Sequence, residues 1–391
     1  MKYIIRMLES NIDKKIKVVW FASSFVGRSA SGTGLTARKI IENLIRNHAD
    51  TVKVYLLIKN DHEAALLAQD KFFKQVEIIQ LPKVLGNKFK SSRQFYKFSL
   101  LNRRLNFDIL HFSVPRVYPY FWLFPAKKIV CTFHAGGDIT VPSDKFVLSR
   151  VVYNFIIKRQ WSKFDAIIAD SAFGAKEISV AYKIPNRFIT IIYVGADKFW
   201  DLKIKQTKRD PNLILVVGRW QRYKNLHTVI NAFKKFEVPF NDKVRLIVIG
   251  KNGPIENELK DGALKGFPKN QIELIEYMTD KDLAMQYRKS SVVFHPSINE
   301  GFGLPAFEAF GEGARIIVHS GTPADEILSS QIGVISNNLL DERGVIQAYE
   351  SIQAQNFGEI NERRSYIKSI SATWAQTTQK YIKLYQMVLM D

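Results

Sequence analysis

Short apolar runs alternate with longer polar segments along the whole chain. The runs are rich in Val, Ile and Phe, which is typical of parallel strands buried on both faces of a sheet. The segments between them, such as 34–47 and 146–162, have helical patterns. This alternation predicts an α/β protein with two doubly wound parallel sheets. The predicted strands are 15–22, 52–58, 76–82, 107–112, 128–134, 165–171, 187–195, 212–218, 244–250, 271–277, 291–297 and 314–320.

A polar, basic segment divides the chain near residues 199–211 and ends in Pro211. The alternation of strand and helix restarts after this segment. Because a chain of 391 residues more often forms two domains than one, we predict a domain boundary here. In doubly wound folds ligands bind outside the carboxyl ends of the strands, so functional residues should follow strands.

Basic residues are concentrated in the first half of the chain. The chain has 57 Lys and Arg against 37 Asp and Glu. Up to Trp200 the counts are 32 and 15, so +17 of the net charge of +20 belongs to that half. Such an excess predicts an anionic partner, either nucleic acid or the inner leaflet of a membrane.

Other features of the sequence indicate a cellular compartment. No apolar stretch is long enough for a transmembrane helix, and the first residues lack the apolar core and cleavage site of a signal peptide. The single cysteine, Cys131, lies in an apolar run and is expected to be buried. We therefore expect a cytoplasmic protein without disulfides.

The segment HPSINEGFGLPAFEAFGEG, residues 295–313, is the strongest indication of a site. Its proline is expected to begin a helix, so the amides near Gly303 and Leu304 would form an anion site at that helix N-terminus. Glu308 is expected in the first helical turn, facing the same cleft as Glu300. Carboxylates accept hydrogen bonds from sugar hydroxyls. The alternative is that an acid in a first turn only complements the helix dipole.

Two other loops follow strands and suit phosphates. Arg219 and Lys224 follow the first strand of the second half, and two cations there suit a diphosphate. They would remove the need for a metal, and no Asp-x-Asp pair follows a strand to hold Mg²⁺. Gly32 and Gly34, in SASGTGLTARKI, would let the backbone approach a ligand closely. The alternatives are a solvated basic loop and a plain flexible loop.

One histidine is a candidate for catalysis. His134 ends the run KIVCTFH, so its side chain would project into the cleft and donate to a sugar hydroxyl or stabilise developing charge. A structural histidine is the alternative. His111 is a weaker candidate, and His295 is expected to be a packing residue. The sequence has no His, Cys, Asp and Glu spacing that predicts zinc.

Together these segments resemble glycosyltransferase family 4, the retaining enzymes of the GT-B fold, of the type that builds bacterial polysaccharides and lipopolysaccharides. SINEGFGLPAFEAFGEGARII matches the family's E-x7-E signature, VVGRWQRYKN its GR…KN element, and CTFH a strand that ends in histidine. IIYVGAD resembles the hydrophobic-N-G-x-D segment, although Val194 replaces the usual asparagine. The resemblance implies two Rossmann-like domains facing across a cleft. These are an acceptor domain over 1–200, a donor domain over 201–371, and a closing helix, 372–391, that crosses back to the first domain.

The resemblance also implies a role for each candidate residue. Arg219 and Lys224 would hold the donor's diphosphate, and Glu308 would bind its ribose hydroxyls. His134 would contact the donor sugar and assist catalysis. Other implied donor-binding residues are Gly32, Gly34, Tyr277, Met278, Glu300, Gly301, Phe302, Gly303 and Leu304.

The family's mechanism implies neither a cofactor nor a metal. The co-substrate is a nucleotide-diphosphate sugar, UDP- or GDP-linked, and anomeric configuration is retained. The leaving phosphate accepts the acceptor's proton on the same face of the sugar. Glu300 is then a positioning residue rather than an assured nucleophile, and electrostatic stabilisation of the departing diphosphate supplies much of the rate.

The stretch 83–104 indicates what the acceptor could be. It has seven basic residues and no acids, with Phe89, Phe95, Tyr96 and Phe98 interleaved. Such a surface suits the headgroup region of an anionic membrane. Because the family's first domain binds the acceptor, we predict a peripheral enzyme at the inner face of the plasma membrane that glycosylates a lipid-linked saccharide. A solvated helical face is the alternative, and nucleic acid is not expected as a partner.

Two other functions remain open from the sequence. One is a nucleotide-sugar epimerase of the same fold, which would not release free nucleotide when an acceptor is added. The other is a non-catalytic sugar-binding or membrane-binding module, which would bind the donor without turnover.

Overall fold

The computed structural model describes residues 15–22, 32–70, 72–73, 76–84, 90–115, 117–134, 148–204, 207–235, 244–250 and 271–391. Three features singled out in the sequence lie outside these ranges, namely residues 29–31 of the glycine loop, Phe89, and the glycines after His134. The described chain forms two parallel sheets with helices packed against them.

The first sheet has seven strands in the order β3-β2-β1-β4-β5-β6-β7. All of its pairings are parallel. The central strand β4 is buried along its whole length, which explains its continuous apolar sequence. The strands are β1 Ile16–Phe21, β2 Val52–Ile58, β3 Glu77–Gln80, β4 Phe107–Phe112, β5 Ala126–Phe133, β6 Ala166–Ala169 and β7 Ile189–Ile191.

The helices of the first half begin where polar residues can cap them. The side chains of Asn60 and Ser171 each accept a hydrogen bond from a backbone N–H in the first turn that follows. These helices are α1 Gly32–Asn47, α2 Asp61–Gln69, α3 Lys90–Leu101, α4 Leu148–Gln160 and α5 Ala172–Tyr182.

The second sheet has six strands in the order β10-β9-β8-β11-β12-β13, also paired in parallel. Its strands are β8 Asp210–Val217, β9 Arg245–Ile249, β10 Ile272–Ile275, β11 Ser290–His295, β12 Arg315–His319 and β13 Val334–Asn337. The helices of this half are α6 Leu226–Lys235, α7 Asp280–Lys289, α8 Leu304–Gly311, α9 Pro323–Leu328, α10 Glu342–Gln353, α11 Ile360–Ser369 and α12 Trp374–Met390.

The predicted fold class is confirmed by this architecture. Each of the twelve predicted strands is present, with ends that differ by a few residues. The strand β13 was missed because its sequence, VISN, has only two strongly apolar residues and lies at the edge of the sheet. The first sheet ends at Ile191 and the second begins at Asp210. The domain limits 1–200 and 201–371 remain a prediction.

The last helix, α12, packs on α1 and on β5 of the first sheet. Tyr385 Oη lies 2.8 Å from His111 Nδ1, and His111 Nε2 lies 2.9 Å from Thr132 Oγ1. Tyr381 Oη lies 3.1 Å from the same threonine oxygen. Burial holds the pKa of His111 well below its usual range. The neutral imidazole therefore donates from one nitrogen and accepts at the other, which gives His111 a structural role.

The sequence expectation for the single cysteine is also met, since Cys131 is a free, buried thiol in β5. Among the described residues, no helix combines the length and the apolar composition needed to cross a membrane.

We predict that Tyr385→Phe lowers the free energy of unfolding by about 1–3 kcal/mol, because it leaves a buried nitrogen of His111 without its partner. Urea denaturation followed by circular dichroism measures the change. Tyr96→Phe removes the same hydroxyl from a partly exposed tyrosine of α3 and should change stability by less than about 0.5 kcal/mol. Equal losses in the two variants would contradict the structural role of the α12 network.

Candidate functional site

The loop between β11 and α8 presents a helix N-terminus toward the first domain. Gly303 precedes α8 with φ +89°, in the left-handed region. A Cβ atom there would lie 3.0 Å from His295 Nε2. No side chain caps this helix, Pro305 has no N–H, and the N–H of Ala306 donates to the carbonyl of Gly303 at 2.9 Å, so the candidate donors for an anion are the N–H groups of Gly303 and Leu304. Pro305 is the second residue of α8, so the helix begins one position earlier than expected.

Glu300, in the same loop, forms an ion pair with Lys224, and each side chain is 12% exposed. Burial alone would raise the pKa of Glu300, but Lys224, His295 and a hydrogen bond with Ser297 outweigh that effect and lower it. Burial would also lower the pKa of Lys224, whereas the charge of Glu300 raises it. Both groups are therefore charged at neutral pH, and each compensates the desolvation of the other.

Lys224 reaches Glu300 from the loop that follows β8. The N–H of Ile298 donates to the carbonyl of Tyr223 at 2.9 Å, which fixes this loop against the loop after β11. Arg219 lies in the same loop with its side chain exposed, and its charge acts on Lys224. The structure thus places both predicted cations after one strand, and Lys224 contacts the loop that precedes α8.

His295 belongs to this site, although the sequence predicted only a packing role. It is buried at the end of β11, with Nε2 3.6 Å from Glu300 Oε1. Burial lowers its pKa to about 4, so the ring is neutral at physiological pH. The sequence feature that could have identified His295 as a site residue is its position at the carboxyl end of a strand. The same feature made His134 a candidate.

Glu308 occupies a different position from the one predicted. Because α8 begins at Leu304, Glu308 lies in the second helical turn, and the expectation of a first-turn acid was wrong. Its side chain is buried, and Tyr287 Oη donates to Glu308 Oε2 at 3.4 Å. Burial raises the pKa of Glu308 to about 7, and the charge of Lys198 offsets only part of that effect. An acid complements a helix dipole from the first turn, and Glu308 does not lie there. The structure therefore does not support that alternative role for Glu308.

His134 lies at the end of β5 and is held by a carboxylate from the next strand. Its Nδ1 lies 2.6 Å from Asp170 Oδ2, and both side chains are buried. The next residue, Ser171, donates through Oγ to the carbonyl of Gly301 at 2.8 Å. His134 in the first domain is therefore connected, through the consecutive residues Asp170 and Ser171, to the loop between β11 and α8 in the second domain. Neither Asp170 nor Ser171 was predicted as a site residue, and both follow β6 in the run IIADS.

Two further polar contacts join α5 to the second domain. The N–H of Phe173 donates to Glu326 Oε2 at 2.8 Å, and Asn299 Nδ2 donates to Glu177 Oε1 at 3.2 Å. The N-terminal part of α5 thus lies against the second domain beside the site.

Other predicted residues have different surroundings. Gly32 and Gly34 lie in the first turn of α1 rather than in a loop, because that helix begins at Gly32. Tyr277 and Met278 do not end a strand, since β10 ends at Ile275, and Tyr277 is 74% exposed. The described contacts do not link these four residues to Lys224 or Glu300.

Phe302 and Leu304, around the start of α8, have packing roles in addition to their predicted donor-binding roles. Phe302 is buried and stacks on Phe307 with ring centroids 4.2 Å apart. Leu304 is partly buried against the apolar core. In the part of the chain that the structure describes, no cluster of His, Cys, Asp and Glu is arranged to hold a metal ion.

The fold and the site define a class of enzyme. Two α/β domains, each with a parallel sheet, are the architecture of a GT-B glycosyltransferase. The model "Glycosyltransferase Family 4" matches residues 32–198, and "Glycosyl transferases group 1" matches residues 198–354. The chain belongs to glycosyltransferase family 4, as its resemblance implied, and it is a glycosyltransferase.

Two curated relatives are named as O-antigen chain mannosyltransferases. The O-antigen chain mannosyltransferase RfbU of Salmonella typhimurium is 25% identical over 71% of this chain and 76% of its own length. O-antigen chain mannosyltransferase B of Escherichia coli is 25% identical over 44% of this chain and 45% of its own length. The chain thus aligns with less than half of the second relative.

Solved structures share the fold over almost the entire chain. Sucrose-phosphate synthase of Thermosynechococcus elongatus has a TM-score of 0.69 at 16% identity, covering 96% of this chain and 100% of that one. HepE of Anabaena, in complex with UDP and glucose, has a TM-score of 0.61 at 12% identity, covering 96% of this chain and 97% of that one.

We predict that Lys224→Met lowers the free energy of unfolding by about 3–5 kcal/mol, because it leaves the largely buried carboxylate of Glu300 uncompensated. Glu300→Gln should also destabilise the protein. The double variant should recover more than about 1 kcal/mol relative to the sum of the two losses. Urea denaturation of the four proteins gives this coupling energy, and additive losses would contradict a buried ion pair.

A second prediction concerns the pH dependence of stability. The pKa of Glu308 rises from 4.5 to about 7 on folding, so the folded state binds more protons between these values. The free energy of unfolding therefore falls as pH rises through that window, by roughly 3 kcal/mol for this group. Glu308→Gln should remove the effect, matching wild type near pH 4.5 and exceeding its stability at pH 8.

Glu312→Gln provides the contrasting control. Glu312 is a buried carboxylate just beyond the same helix, and it is ion-paired with Arg288 and Arg364. Its amide variant should be less stable than wild type at pH 8. If Glu308→Gln also lost stability at pH 8, the raised pKa of Glu308 would be refuted.

Proposed function

We propose that this glycosyltransferase moves a hexosyl group from a UDP- or GDP-linked sugar to a saccharide acceptor, with retention of configuration and without a metal ion. The observation that carries the proposal is the largely buried Lys224–Glu300 pair in the loops beside the N-terminus of α8. A lysine held charged in a water-poor site attracts a diphosphate far more strongly than a solvated one would.

The diphosphate would lie between the two cations and the helix. Arg219 is exposed and can approach phosphate oxygens bidentately, while Lys224 contributes a fixed charge. The amides of Gly303 and Leu304 donate to a terminal phosphate oxygen. These donors are in place before the bond breaks, so they stabilise the negative charge that grows on the leaving group. This set of cations and amides supports a reaction that uses no metal.

The proposed transfer takes place on one face of the sugar. The bond between the anomeric carbon and the diphosphate oxygen breaks as a bond to the acceptor's hydroxyl oxygen forms. The hydroxyl proton passes to the leaving phosphate oxygen. Glu300 is paired with Lys224 and is therefore a weaker nucleophile than a free carboxylate, which favours a positioning role.

The remaining polar groups suit the rest of the donor. Asp170 orients His134, whose other ring nitrogen is then directed away from the carboxylate toward a sugar hydroxyl. Glu308 can accept hydrogen bonds from the two ribose hydroxyls once it is ionised. We retain Gly301 and Phe302 as neighbours of the donor sugar, Gly32 and Gly34 near the phosphates, and Tyr277 and Met278 near the base, as the family resemblance implies.

The proposed acceptor is a lipid-linked saccharide at the inner face of the plasma membrane. The names of the relatives, which are O-antigen chain mannosyltransferases, support a polysaccharide precursor and make mannose the first sugar to test. The basic exposed surface of α3, which includes Arg93 and Lys97, supports peripheral contact with an anionic membrane.

We predict that UDP or GDP raises the thermal unfolding temperature, and that the rise survives EDTA. A ligand at a hundred times its Kd adds about 2.7 kcal/mol to the free energy of unfolding. Arg219→Ala should abolish most of the shift, because it removes a phosphate ligand. Arg343→Ala, an exposed arginine on α10 of the same domain, should leave the shift unchanged.

Turnover distinguishes transfer from simple binding. Free nucleotide diphosphate should appear when UDP-glucose or GDP-mannose is supplied with a lipid-linked saccharide, and the product should keep the anomeric configuration of the donor. The absence of any nucleotide-dependent shift would refute the donor site, and a shift that EDTA abolishes would refute metal independence.

A further inference from the structure

We propose that a groove beside α3 binds the phosphate-bearing head group of an amphiphilic acceptor. This inference deepens the proposed function and rests on it. The groove has a volume of about 630 Å³ and lies between α3, the segment after β3 and the segment after β4. Its walls include Lys83, Arg93, Tyr96, Lys97 and Tyr120.

The charged side of the groove suits a phosphate. Arg93 and Lys97 are four residues apart on α3, so they lie on one face of the helix, and both are exposed. Lys83 enters from the opposite segment and forms an exposed ion pair with Asp61 at 2.9 Å. No acidic residue occurs between residues 83 and 104, so this wall has an excess of positive charge.

The apolar side of the groove suits a lipid chain rather than a free anion. Tyr96 and Tyr120 are 43% and 56% exposed, with ring centroids 6.2 Å apart. Leu100 and Leu101 continue the same face of α3, and Leu101 is 69% exposed. Large apolar side chains flanked by cations are typical of a helix that lies in a membrane interface. A phosphate held by the cations would place a hydrocarbon chain along these leucines.

Tyr120 supports a binding role through its backbone. Its φ of +61° lies in the left-handed region, which a bulky residue rarely adopts. Contacts with Tyr96 and with Trp122, whose ring centroid is 5.5 Å away, fix the exposed ring in this conformation. Such positions are concentrated at ligand sites, because the surrounding structure must maintain them.

The groove lies at the same edge of the first sheet as His134. Lys83 follows β3 and Tyr120 follows β4, while His134 follows β5, next to β4. Because all these strands are parallel, their carboxyl ends lie along one edge. A head group in the groove would therefore lie at the edge of the sheet that bears His134.

Phe95 and Phe98 do not contribute to this surface. Both were expected within a basic, aromatic membrane face, but they are buried in the core of the first domain. The membrane-facing aromatic residues are instead Tyr96 and Tyr120, the second of which comes from a different segment.

The experiment measures binding of the full chain to phosphatidylcholine vesicles that contain dodecyl phosphate. Phosphatidylcholine vesicles with phosphatidylglycerol, adjusted to the same surface charge, provide the comparison. We expect tighter binding to dodecyl phosphate, and we expect Arg93→Ala/Lys97→Ala to weaken that binding at least tenfold. The matched control, Lys158→Ala/Arg159→Ala, removes two exposed cations from α4 and should change it less than threefold.

Each alternative gives a different result. Equal losses for both double variants, or equal binding to the two kinds of vesicle, would overturn the groove in favour of general surface charge. Displacement by millimolar inorganic phosphate with no dependence on the alkyl chain would show a free-phosphate site and would also overturn it. Arg93→Gln/Lys97→Gln provides a control for folding. If this variant unfolds at the same temperature as wild type, weaker vesicle binding does not result from a folding defect.

Nucleotide binding separates this inference from the proposed function. The donor site lies in the second domain, so UDP or GDP should stabilise the groove variant as much as wild type. Nucleotide binding without selective binding of dodecyl phosphate would overturn only the groove. Loss of all nucleotide binding in wild type would overturn the proposed function.

Discussion

Parallel strand pairing is the constraint on which the rest of the structure depends. All pairings among the described strands of both sheets are parallel, so the carboxyl ends of the strands in each sheet lie at a single edge. The loops after β5, β6, β8 and β11 contain His134, Asp170, Lys224 and Glu300 respectively. These residues are far apart in the sequence, and the two sheets bring them to facing edges. The hydrogen bond from Ser171 to Gly301 shows that the two edges meet.

Two glutamates at this edge, Glu300 partly buried and Glu308 buried, have opposite electrostatic environments. Glu300 has a lysine as a partner, and its pKa is lowered although burial alone would raise it. Glu308 has only a tyrosine hydroxyl and more distant charges, and burial raises its pKa to about 7. The first carboxylate is therefore charged at neutral pH and holds the ammonium group of Lys224. The second changes protonation near neutral pH, so hydroxyl donors from a ligand would favour its ionised form.

The last helix connects the end of the chain to the first sheet. Its tyrosines reach β4 and β5 through His111 and Thr132. The hydroxyl of Thr377 donates to the carbonyl of Tyr193 at 2.8 Å, close to where the first sheet ends. These buried polar contacts supplement the apolar packing of α12 on α1. The helix thus links the end of the second half to the core of the first.

The sequence by itself determined the fold class, nearly all strands and the segment that forms the site. Runs such as FDILHF and the glycine turn before Leu304 are local patterns, and local patterns determine backbone conformation. Only the tertiary structure decided which side chains meet. The pairing of Lys224 with Glu300 and of Asp170 with His134 depends on how strands are ordered in a sheet. The position of Glu308 in the second turn depends on where α8 begins, and its pKa depends on burial by neighbours such as Tyr287. These properties arise from contacts between residues distant in the chain, which no local pattern of residues specifies.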